Sequence, residues 1–330
     1  MTLPLAVSLG DPAGIGAEVI AKSWERRELR ALPAFFVVGE IEAVRAVWNG
    51  PVEAIASPAD AQACFGRALP VLTVGDGCAV SPGRPDIAGA RSALDALELA
   101  VGLTRSGAAA AIVTGPVSKA QLYGIGFAHP GQTEFVAERC GIAAANVAMM
   151  LAGPSLRTVP VTTHLPLADV PAALTVELIV GKGRTVIRGL RRQFGIMRPR
   201  LAVAGLNPHA GENGALGRED IELIAPAVAR LCEEDEADLV GPLAADSMFH
   251  ASARSRYDAA LCMYHDQALI PLKALHFDEG VNITLGLPIV RTSPDHGTAF
   301  DIAGRNQADP AAMVAAIALA SSCAARLAAG

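Results

Sequence analysis

Three histidines in this chain each stand at the C-terminal end of a short apolar stretch. The stretch "RTVPVTTH" ends in His164, "RLAVAGLNPH" ends in His209, and "AALCMYH" ends in His265. The C-terminal ends of parallel strands share one edge of an α/β sheet, and ligands bind at that edge. We therefore expect the three imidazoles to be neighbours in space, where they would suit Zn²⁺ or a similar divalent cation. The alternative is three independent histidines that cap loops.

Two carboxylates stand near these histidines in the expected arrangement. Asp266 directly follows His265, and Asp246 lies in the stretch "GPLAADSMF". Each is a candidate either to orient a metal-bound imidazole or to transfer a proton during catalysis. The remaining histidines lack the strand-end pattern, and we expect them to be structural or to lie near a cofactor; they are His129, His250, His276 and His296.

The stretch from 272 to 304 is dense in polar residues among many glycines and prolines. A lysine and an arginine near a metal ion can bind a substrate carboxylate or phosphate through charge-assisted hydrogen bonds. The candidates in this stretch are Lys273, Asn282, Arg291, Asp295, His296 and Asp301.

Two further stretches begin predicted helices. In "GQTEF", Gln132, Thr133 and free backbone N–H groups suit an anion, although helix capping alone would give the same pattern. In "VTGPVSKAQL", Ser118 with Gln121 three residues later predicts a capping box, and a place in the active-site lining is the alternative.

The elements that must position these residues alternate along the chain. Short β-rich apolar runs are followed by longer stretches of helical composition, which predicts a parallel sheet covered by helices. The predicted strands are 4–9, 34–39, 70–74, 109–115, 157–163, 200–206, 259–264 and 281–286, and the predicted helices include 17–29, 87–106, 174–195 and 218–235. We expect a domain boundary near "FAHPGQTEF", with the C-terminal strands returning to the first lobe.

The stretch "GDPAGIG" after the first strand superficially suggests a dinucleotide-binding loop. Its glycines, Gly10, Gly14 and Gly16, are in the wrong order for GxGxxG. We also expect no acidic residue to close a second strand at the required distance. A tight strand-to-helix turn at the rim of an active site is the better interpretation.

Composition narrows the class of protein. With 330 residues, 52% hydrophobic and 18% charged, the chain can bury a sizeable core in about two lobes. The net charge of −6 and the absence of basic clusters argue against a nucleic-acid partner. The N-terminus lacks a basic region, and the Ala-rich C-terminus with Arg326 is expected to be a packed helix rather than a membrane span.

The cysteines are scattered without CxxC pairs. We expect them to be reduced thiols in a cytoplasmic protein; they are Cys64, Cys78, Cys140, Cys232, Cys262 and Cys323.

Several long motifs together resemble one enzyme family. "YHDQALIPLKALHFDEGVNITLGLPIVRTSPDHGTAFDIAG", "GLNPHAGENGALGRED", "VTTHLPLADVP" and "GDPAGIG" are similar to those of the 4-hydroxythreonine-4-phosphate dehydrogenase family of vitamin B6 biosynthesis. The resemblance covers essentially the whole chain. It implies an α/β fold like that of isocitrate and isopropylmalate dehydrogenases, with two α/β/α lobes, a central cleft and no Rossmann fingerprint.

The resemblance also implies how the lobes are divided. The first lobe, on the cofactor side, is expected to comprise residues 1–128 and 270–330. The second, on the side of the metal, the substrate and the dimer contact, is expected to comprise residues 129–269. The family forms homodimers with active sites at the subunit interface.

Site residues follow from the same resemblance. The family's metal ligands, for Zn, Mg or Co, fall on the three strand-end histidines, and its substrate contacts fall on Gln132, Thr133, Lys273, Asn282 and Arg291. "DHGTAFDIAG" resembles the HG(S/T)APDIAG loop around the adenosine of NAD or NADP in the wider superfamily, with Phe300 where Pro is usual. The implied cofactor residues are Asp295, His296, Gly297, Thr298, Ala299, Asp301 and Gly304.

The implied reaction is the NAD-dependent oxidation of 4-phosphooxy-L-threonine to a β-keto acid, which decarboxylates to 3-amino-2-oxopropyl phosphate. Candidates for the catalytic base are Asp246, Asp266 and Lys273. Many family members have His where this chain has Gln132, which slightly favours relatives that oxidise phosphorylated threonate, phosphorylated erythronate or a dihydrodiol acid. A phosphate acyltransferase of related fold and a metal-dependent hydrolase or lyase are more remote alternatives, because neither requires the "DHGTAFDIAG" loop.

Overall fold

A computed structural model describes residues 3–75 and 80–329. Its strands are β1 (Leu5–Ser8), β2 (Phe35–Val38), β3 (Val52–Ala54), β4 (Leu69–Leu72), β5 (Ile112–Thr114), β6 (Ala148–Ala152), β7 (Arg157–Pro160), β8 (Arg200–Ala204), β9 (Asp238–Leu243), β10 (Ala259–Cys262), β11 (Val281–Leu285) and β12 (Arg291–Pro294). Its helices are α1 (Gly16–Glu25), α2 (Ile41–Val47), α3 (Ala61–Cys64), α4 (Ile87–Arg105), α5 (Lys119–Gly124), α6 (Gln132–Arg139), α7 (Val170–Ala173), α8 (Val176–Phe194), α9 (Ala225–Glu234), α10 (Ala251–Arg254), α11 (His265–His276) and α12 (Ala311–Ala329).

The chain divides into two units that are each discontinuous in sequence. The first comprises Met1–Gly141 and Pro288–Ala325, and the second comprises Ile142–Leu287 and Arg326–Gly330. The expected boundaries at 128/129 and 269/270 lie earlier in the chain than these. One reason is that β11 pairs with β6 along its whole length, from Val281 opposite Ala152 to Leu285 opposite Ala148, so residues 281–285 belong with the second unit.

The first unit contains a parallel sheet with strand order β3-β4-β2-β1-β5-β12. Strands β1, β2, β5 and β12 are buried along their whole length. Apolar side chains from both faces of such a sheet must be covered by helices, which explains why β1, β2 and β5 are mainly apolar in sequence. Each large side chain, such as those of Phe35 and Phe36, contributes about 1.5–3 kcal/mol when fully buried.

The second unit contains strands in the order β11-β6-β7-β10-β8-β9. Strands β7, β10, β8 and β9 are parallel, whereas β6 is antiparallel to both β11 and β7. The expected parallel sheet is therefore present in four strands of this unit, and the antiparallel β6 departs from it. The short turn between β6 and β7 allows an antiparallel pair, because two such strands need no crossover helix.

All eight predicted strands are present, but β3, β6, β9 and β12 were missed. Helix α8 begins at a capping residue, Thr175, whose hydroxyl accepts the N–H of Leu178, and it ends at Gly195 in the left-handed region with φ of 70°. Ser118 caps α5 in the same way by accepting the N–H of Gln121. This confirms that Ser118 caps the helix, which is one half of the predicted capping box.

Helix α12 is the one described helix that is long and apolar enough to cross a membrane by length and composition. Its buried positions recur every three or four residues along one face of the helix; they are Ala312, Met313, Ala316, Ile317, Ala320, Cys323 and Ala324. The hydroxyl of Thr292 on β12 donates to the carbonyl of Ala316 at 2.9 Å. The helix is thus packed against the sheet of the first unit, as expected.

The described cysteines are thiols rather than disulfides; they are Cys64, Cys140, Cys232, Cys262 and Cys323. Burial raises the pKa of the Cys262 thiol far above its ordinary value. A buried thiol of this kind is inert and acts as a small apolar side chain. Cys78 lies outside the described residues.

Candidate active site

The three strand-end histidines follow three neighbouring strands of the second unit. His164 follows β7, His209 follows β8, and His265 follows β10, which lies between the other two. Ala260 of β10 pairs with Thr158 of β7 and also with Ala202 of β8, and both pairings are parallel. The C-terminal ends of the three strands therefore meet at one edge of the sheet.

Hydrogen bonds beyond the strands bring His164 and His265 together. The N–H of Val161 donates to the carbonyl of Cys262 at 2.7 Å, and the hydroxyl of Thr162 donates to the carbonyl of Met263 at 2.8 Å. The chain segments after β7 and β10 therefore run side by side toward the histidines. As a result, the ring centres of His164 and His265 lie 5.7 Å apart in one cavity, which is also lined by Tyr264 and Leu167.

A buried glutamine joins the segments that follow β10 and β8. The side-chain oxygen of Gln267 accepts the N–H of Met263 at 2.7 Å, and its amide nitrogen donates to the carbonyl of Gly205 at 2.8 Å. Gln267 is 8% exposed, so both hydrogen bonds are shielded from water. Sequence analysis missed this residue, because its role depends on a contact with a residue 62 positions away.

His209 begins an unusual left-handed turn after β8. The five consecutive residues from His209 to Asn213 all have positive φ, between 42° and 79°. Such a conformation costs roughly 1–2 kcal/mol for each residue other than glycine. His164 also has a positive φ, of 55°, and strained backbone of this kind clusters at ligand-binding sites.

The carboxylate of Asp220 holds the chain immediately before this turn. It accepts the N–H of Leu206 at 2.8 Å, and it accepts both the N–H and the side-chain amide of Asn207 at 3.2 and 3.0 Å. Asp220 is fully buried in a π-helical turn, Asp220–Ile224. Sequence analysis missed it too, although π-helical turns are frequent at functional sites.

His209 lies in a different cavity from His164 and His265. His209 lines a space with Glu212, Asn213 and Asp220, whereas His164 and His265 line the first cavity. Within residues 3–75 and 80–329, no group of three or more His, Cys, Asp or Glu side chains is arranged to hold a metal ion. The three-histidine metal site therefore stays a prediction.

The donor set itself fits a divalent cation. Three imidazoles project from one sheet edge, two of them from strained backbone, and the Nδ1 of His265 lies 2.7 Å from Oδ1 of Asp266. A carboxylate on one ring nitrogen orients the ring and directs the other nitrogen toward a ligand. Asp246 lies on the short turn Ala245–Ser247, which contacts the His209 segment Pro208–Gly214.

Two other candidates of the second unit lie on α11 and β11. Lys273 is two turns along α11 from His265, and Asn282 lies on β11. The side-chain oxygen of Asn282 is buried and has no hydrogen-bond partner in the described chain. A buried polar atom of this kind indicates a ligand or water partner.

Arg291 is a buried cation in the first unit. It is 3% exposed on β12, and its guanidinium donates to the hydroxyls of Thr114 at 2.7 Å and of Thr133 at 3.3 Å. Burial lowers the pKa of Arg291 to about 10, while the nearby carboxylate of Glu134 acts in the opposite direction. Because burial disfavours the charged form, an anionic ligand at this guanidinium would be stabilising.

Gln132 lies beside Thr133 at the first turn of α6. Its amide nitrogen donates to the carbonyl of Gly115 at 3.2 Å, and its side-chain oxygen is buried without a partner among the described residues. The structure thus places Gln132, Thr133 and Arg291 in the first unit with Thr114, a residue that sequence analysis missed. Its position at the end of β5, in "IVTG", was the available signal.

The "DHGTAFDIAG" loop packs against the "GDPAGIG" turn within the first unit. The N–H of Ile15 donates to the carbonyl of Thr298 at 2.9 Å, and a Cβ placed on Gly14 would lie 3.0 Å from the same oxygen. Gly10 has a φ of +78°, and a Cβ there would meet the carbonyl of Pro116 at 2.3 Å. The turn is therefore tight, as predicted, and its glycines permit close approach of backbone to backbone.

Two details of this region bear on a bound cofactor. The Nε2 atom of His296 is buried and has no hydrogen-bond partner in the part of the chain that is described, which is consistent with a ligand contact. The expectation that no acidic residue closes the second strand was wrong, because Glu40 follows β2 and is 3% exposed.

Two of the remaining histidines, His129 and His276, make structural contacts. The ring of His276 lies 2.8 Å from the hydroxyl of Ser155, and burial together with the charge of Arg254 lowers the pKa of His276. The ring of His129 packs between Phe127 and Phe135. His250 precedes α10 without capping it through its side chain.

Comparison with known proteins gives consistent results. Residues 32–320 match the family model of the pyridoxal phosphate biosynthetic protein PdxA. The chain is 55% identical to the 4-hydroxythreonine-4-phosphate dehydrogenase of Zymomonas mobilis, over 96% of this chain and 94% of that protein. It is also 55% identical to the protein of that name from Erythrobacter litoralis, over 98% and 97%. The crystal structure of a 4-hydroxythreonine-4-phosphate dehydrogenase from Klebsiella pneumoniae is 38% identical, covers 98% of both chains and has a TM-score of 0.88.

Proposed function

The chain belongs to the PdxA family of pyridoxal phosphate biosynthetic proteins, as its motifs predicted, and we propose that it is a 4-hydroxythreonine-4-phosphate dehydrogenase. It is thus an oxidoreductase of the vitamin B6 pathway that acts on a CH–OH group. The main support is similarity over nearly the full length of the chain to relatives of that name. The β-keto acid product would lose its carboxylate to give 3-amino-2-oxopropyl phosphate.

The phosphorylated substrate requires cationic side chains, and the first unit supplies one at a buried position. Arg291 is held by Thr114 and Thr133, so its planar guanidinium is already oriented for an anionic group. Gln132 offers a buried oxygen to a substrate donor. Lys273 and Asn282 of the second unit are the other two substrate contacts that the family resemblance implies. Binding through these groups would position the reacting carbon.

A dehydrogenase needs a hydride acceptor, and a nicotinamide cofactor fits this family. We assign NAD to the loop that follows β12, with the residues Asp295, His296, Gly297, Thr298, Ala299, Asp301 and Gly304 as its contacts. Support comes from the buried Nε2 of His296 and from the packing of this loop on the Gly10–Gly16 turn. The protein's part is to orient the cofactor and exclude competing reactions.

His164, His209 and His265 would hold one divalent metal ion, either Zn, Mg or Co. When bound, such an ion supplies Lewis-acid polarisation of a hydroxyl or carbonyl oxygen. Asp266 keeps the ring of His265 in position through its 2.7 Å contact with Nδ1. Since Asp266 has this positioning role, proton removal from the substrate hydroxyl is assigned to the carboxylate of Asp246 or the amine of Lys273.

The proposed assembly is a cytoplasmic homodimer whose active sites receive residues from both subunits. Support comes from α11, the helix that begins at His265. Its residue Ile270 is 64% exposed, and Phe277 at its end is 76% exposed. Two large apolar side chains exposed beside a proposed active site are suited to burial against a second subunit.

The test is an assay of NADH formation from NAD⁺ and 4-phosphooxy-L-threonine with Mg²⁺ or Zn²⁺. Phosphorylated D-threonate and D-erythronate are assayed in parallel. We expect preference for the threonine derivative, and loss of activity with a chelator and in His209→Ala. The matched control is His250→Ala, which removes an exposed histidine outside the site. A preference for either sugar acid would reject the assignment of substrate, and full activity in His209→Ala would reject the metal site.

A further inference from the structure

The second unit contains a cavity of about 460 Å³ that the proposed reaction does not use. It lies along one face of α8, and its other walls are Ile142, Asn146 and the residues Gly286 and Leu287 after β11. None of the proposed metal, substrate or cofactor contacts lines it. Its volume is within the range of small-molecule sites.

Arginines from successive turns of α8 line this cavity. Arg184, Arg188 and Arg192 are four residues apart and so lie on the same side of the helix. Arg184 is neutralised, because it pairs with Glu234 and with Asp235 at the end of α9. Arg188 and Arg192 are exposed and have no ion pair within the described part of the chain. Their like charges repel each other one turn apart, in a chain whose net charge is −6.

A buried amide in the same cavity provides a second, independent observation. Gln193 is 3% exposed and lines the cavity next to Arg192. Its Oε1 atom is buried and has no hydrogen-bond partner among residues 3–75 and 80–329. A buried acceptor without a partner is costly, so this oxygen requires a donor that the chain itself does not supply.

We propose that this cavity is a binding site for a small phosphate monoester that also bears a hydroxyl or amino group. The phosphate oxygens accept hydrogen bonds from the guanidinium groups of Arg188 and Arg192. The hydroxyl or amino group donates to Oε1 of Gln193. A phosphate dianion between two guanidinium groups relieves their repulsion and forms strong, charge-assisted hydrogen bonds.

The primary experiment is isothermal titration calorimetry with glycerol 3-phosphate, a phosphate ester that carries hydroxyl groups. The full-length protein is compared with the double variant Arg188→Gln, Arg192→Gln. The control is Arg256→Gln, which removes an exposed arginine of the second unit outside this cavity. We expect the double variant to lose one binding event, with its affinity weakened about 10-fold or more, and the control to retain it. The ratio kcat/KM for 4-phosphooxy-L-threonine should be unchanged in both, which separates this site from the active site.

The amide is tested by the substitution Gln193→Met, which keeps the side-chain volume. In the wild type, glycerol 3-phosphate should bind more tightly than inorganic phosphate at this site, and in Gln193→Met the two should bind equally. A thermal unfolding curve establishes that the variant is folded. Binding of glycerol 3-phosphate that is identical in the wild type and the double variant would overturn the proposal. A loss of binding in the double variant that is accompanied by a change in its mass in analytical ultracentrifugation would also overturn the proposal. The two arginines would then contact a second subunit rather than a phosphate ester.

Discussion

Gln267 is hydrogen-bonded to Gly205 across two neighbouring strand ends of the second unit. Its amide nitrogen donates to the Gly205 carbonyl at 2.8 Å, and its oxygen accepts the Met263 N–H at 2.7 Å. The same side chain therefore fixes the segment that leads to His265 against the segment that leads to His209. The spacing of two proposed metal ligands depends on this contact.

The substitution Gln267→Met should remove both hydrogen bonds while filling the same space. The N–H of Met263 and the carbonyl of Gly205 would then be buried without partners, at a cost of about 2–4 kcal/mol in the free energy of unfolding. We also expect weaker metal binding, measured by calorimetry. Urea unfolding measures the first effect, with Gln62→Met at an exposed position of α3 as the control. Unchanged stability and metal affinity in Gln267→Met would contradict this role.

Asp220 should be needed for the strained turn that begins at His209. In Asp220→Asn, one of the two oxygens that accept from Leu206 and Asn207 becomes a donor facing other donors. The lost charge-assisted bonds should lower the free energy of unfolding by about 2–3 kcal/mol and weaken metal binding. Glu222→Gln removes an exposed carboxylate from the same π-helical turn and should change stability by less than about 1 kcal/mol. Equal effects of the two substitutions would show that the buried carboxylate has no special role.

Arg291→Lys should impair substrate binding more than stability. A lysine keeps the charge but cannot donate to Thr114 and Thr133 while also making a bidentate contact with an anion. We expect KM for the phosphorylated substrate to rise about 10-fold to 100-fold with a smaller change in kcat. Steady-state kinetics measure both constants, and Arg256→Lys is the matched control. A normal KM would mean that the anion binds elsewhere.

Gln132→His should introduce a titratable group at the start of α6. Below about pH 6.5 an imidazolium would attract a substrate phosphate or carboxylate, whereas the amide has no charge at any pH. We therefore expect KM to fall several-fold between about pH 8 and about pH 6 in the variant, relative to the wild type. Steady-state kinetics across this pH range measure KM for the variant and for the wild type. A constant ratio of the two KM values would show that residue 132 does not contact the anionic end.

Asp11→Asn should stabilise the protein at neutral pH. Burial, and secondarily the charge of Asp86, raises the pKa of Asp11 above its ordinary 3.8, although a hydrogen bond from Ala13 N–H acts in the opposite direction. The native state therefore binds the proton of the Asp11 carboxyl more tightly than the unfolded state does. The contribution of the protonated Asp11 to stability is complete below about pH 3.8 and is lost as the pH rises through the raised pKa of the folded state. The asparagine retains the acceptor without the buried charge.

We expect Asp11→Asn to be more stable than the wild type near pH 7, and the difference to shrink toward about pH 4. Urea unfolding at a series of pH values measures it. Catalysis should fall, because Asp11 lies in the turn beside the proposed cofactor loop. A variant that is less stable at neutral pH would contradict the argument.

Local patterns in the sequence were sufficient for much of the fold. Eight strands were predicted from their apolar runs, whereas the missed strand β9 contains Gly241 and Pro242 and the missed strand β12 is the polar sequence "RTSP". Strand β12 is nevertheless fully buried, because hydrophobicity reflects burial only on average and the two terminal guanidinium nitrogens of Arg291 donate to partners distant in sequence. The long family motifs predicted the family itself.

The sequence by itself also determined that His164, His209 and His265 share one sheet edge, because the end of a parallel strand is a local feature and its edge follows from the fold class. Only the tertiary structure decided how far apart they lie. His164 and His265 share a cavity, whereas His209 enters a left-handed turn that depends on Asp220. Hydrogen bonds between residues far apart in the chain, such as Gln267 to Gly205, set these loop conformations, and no local pattern encodes such contacts.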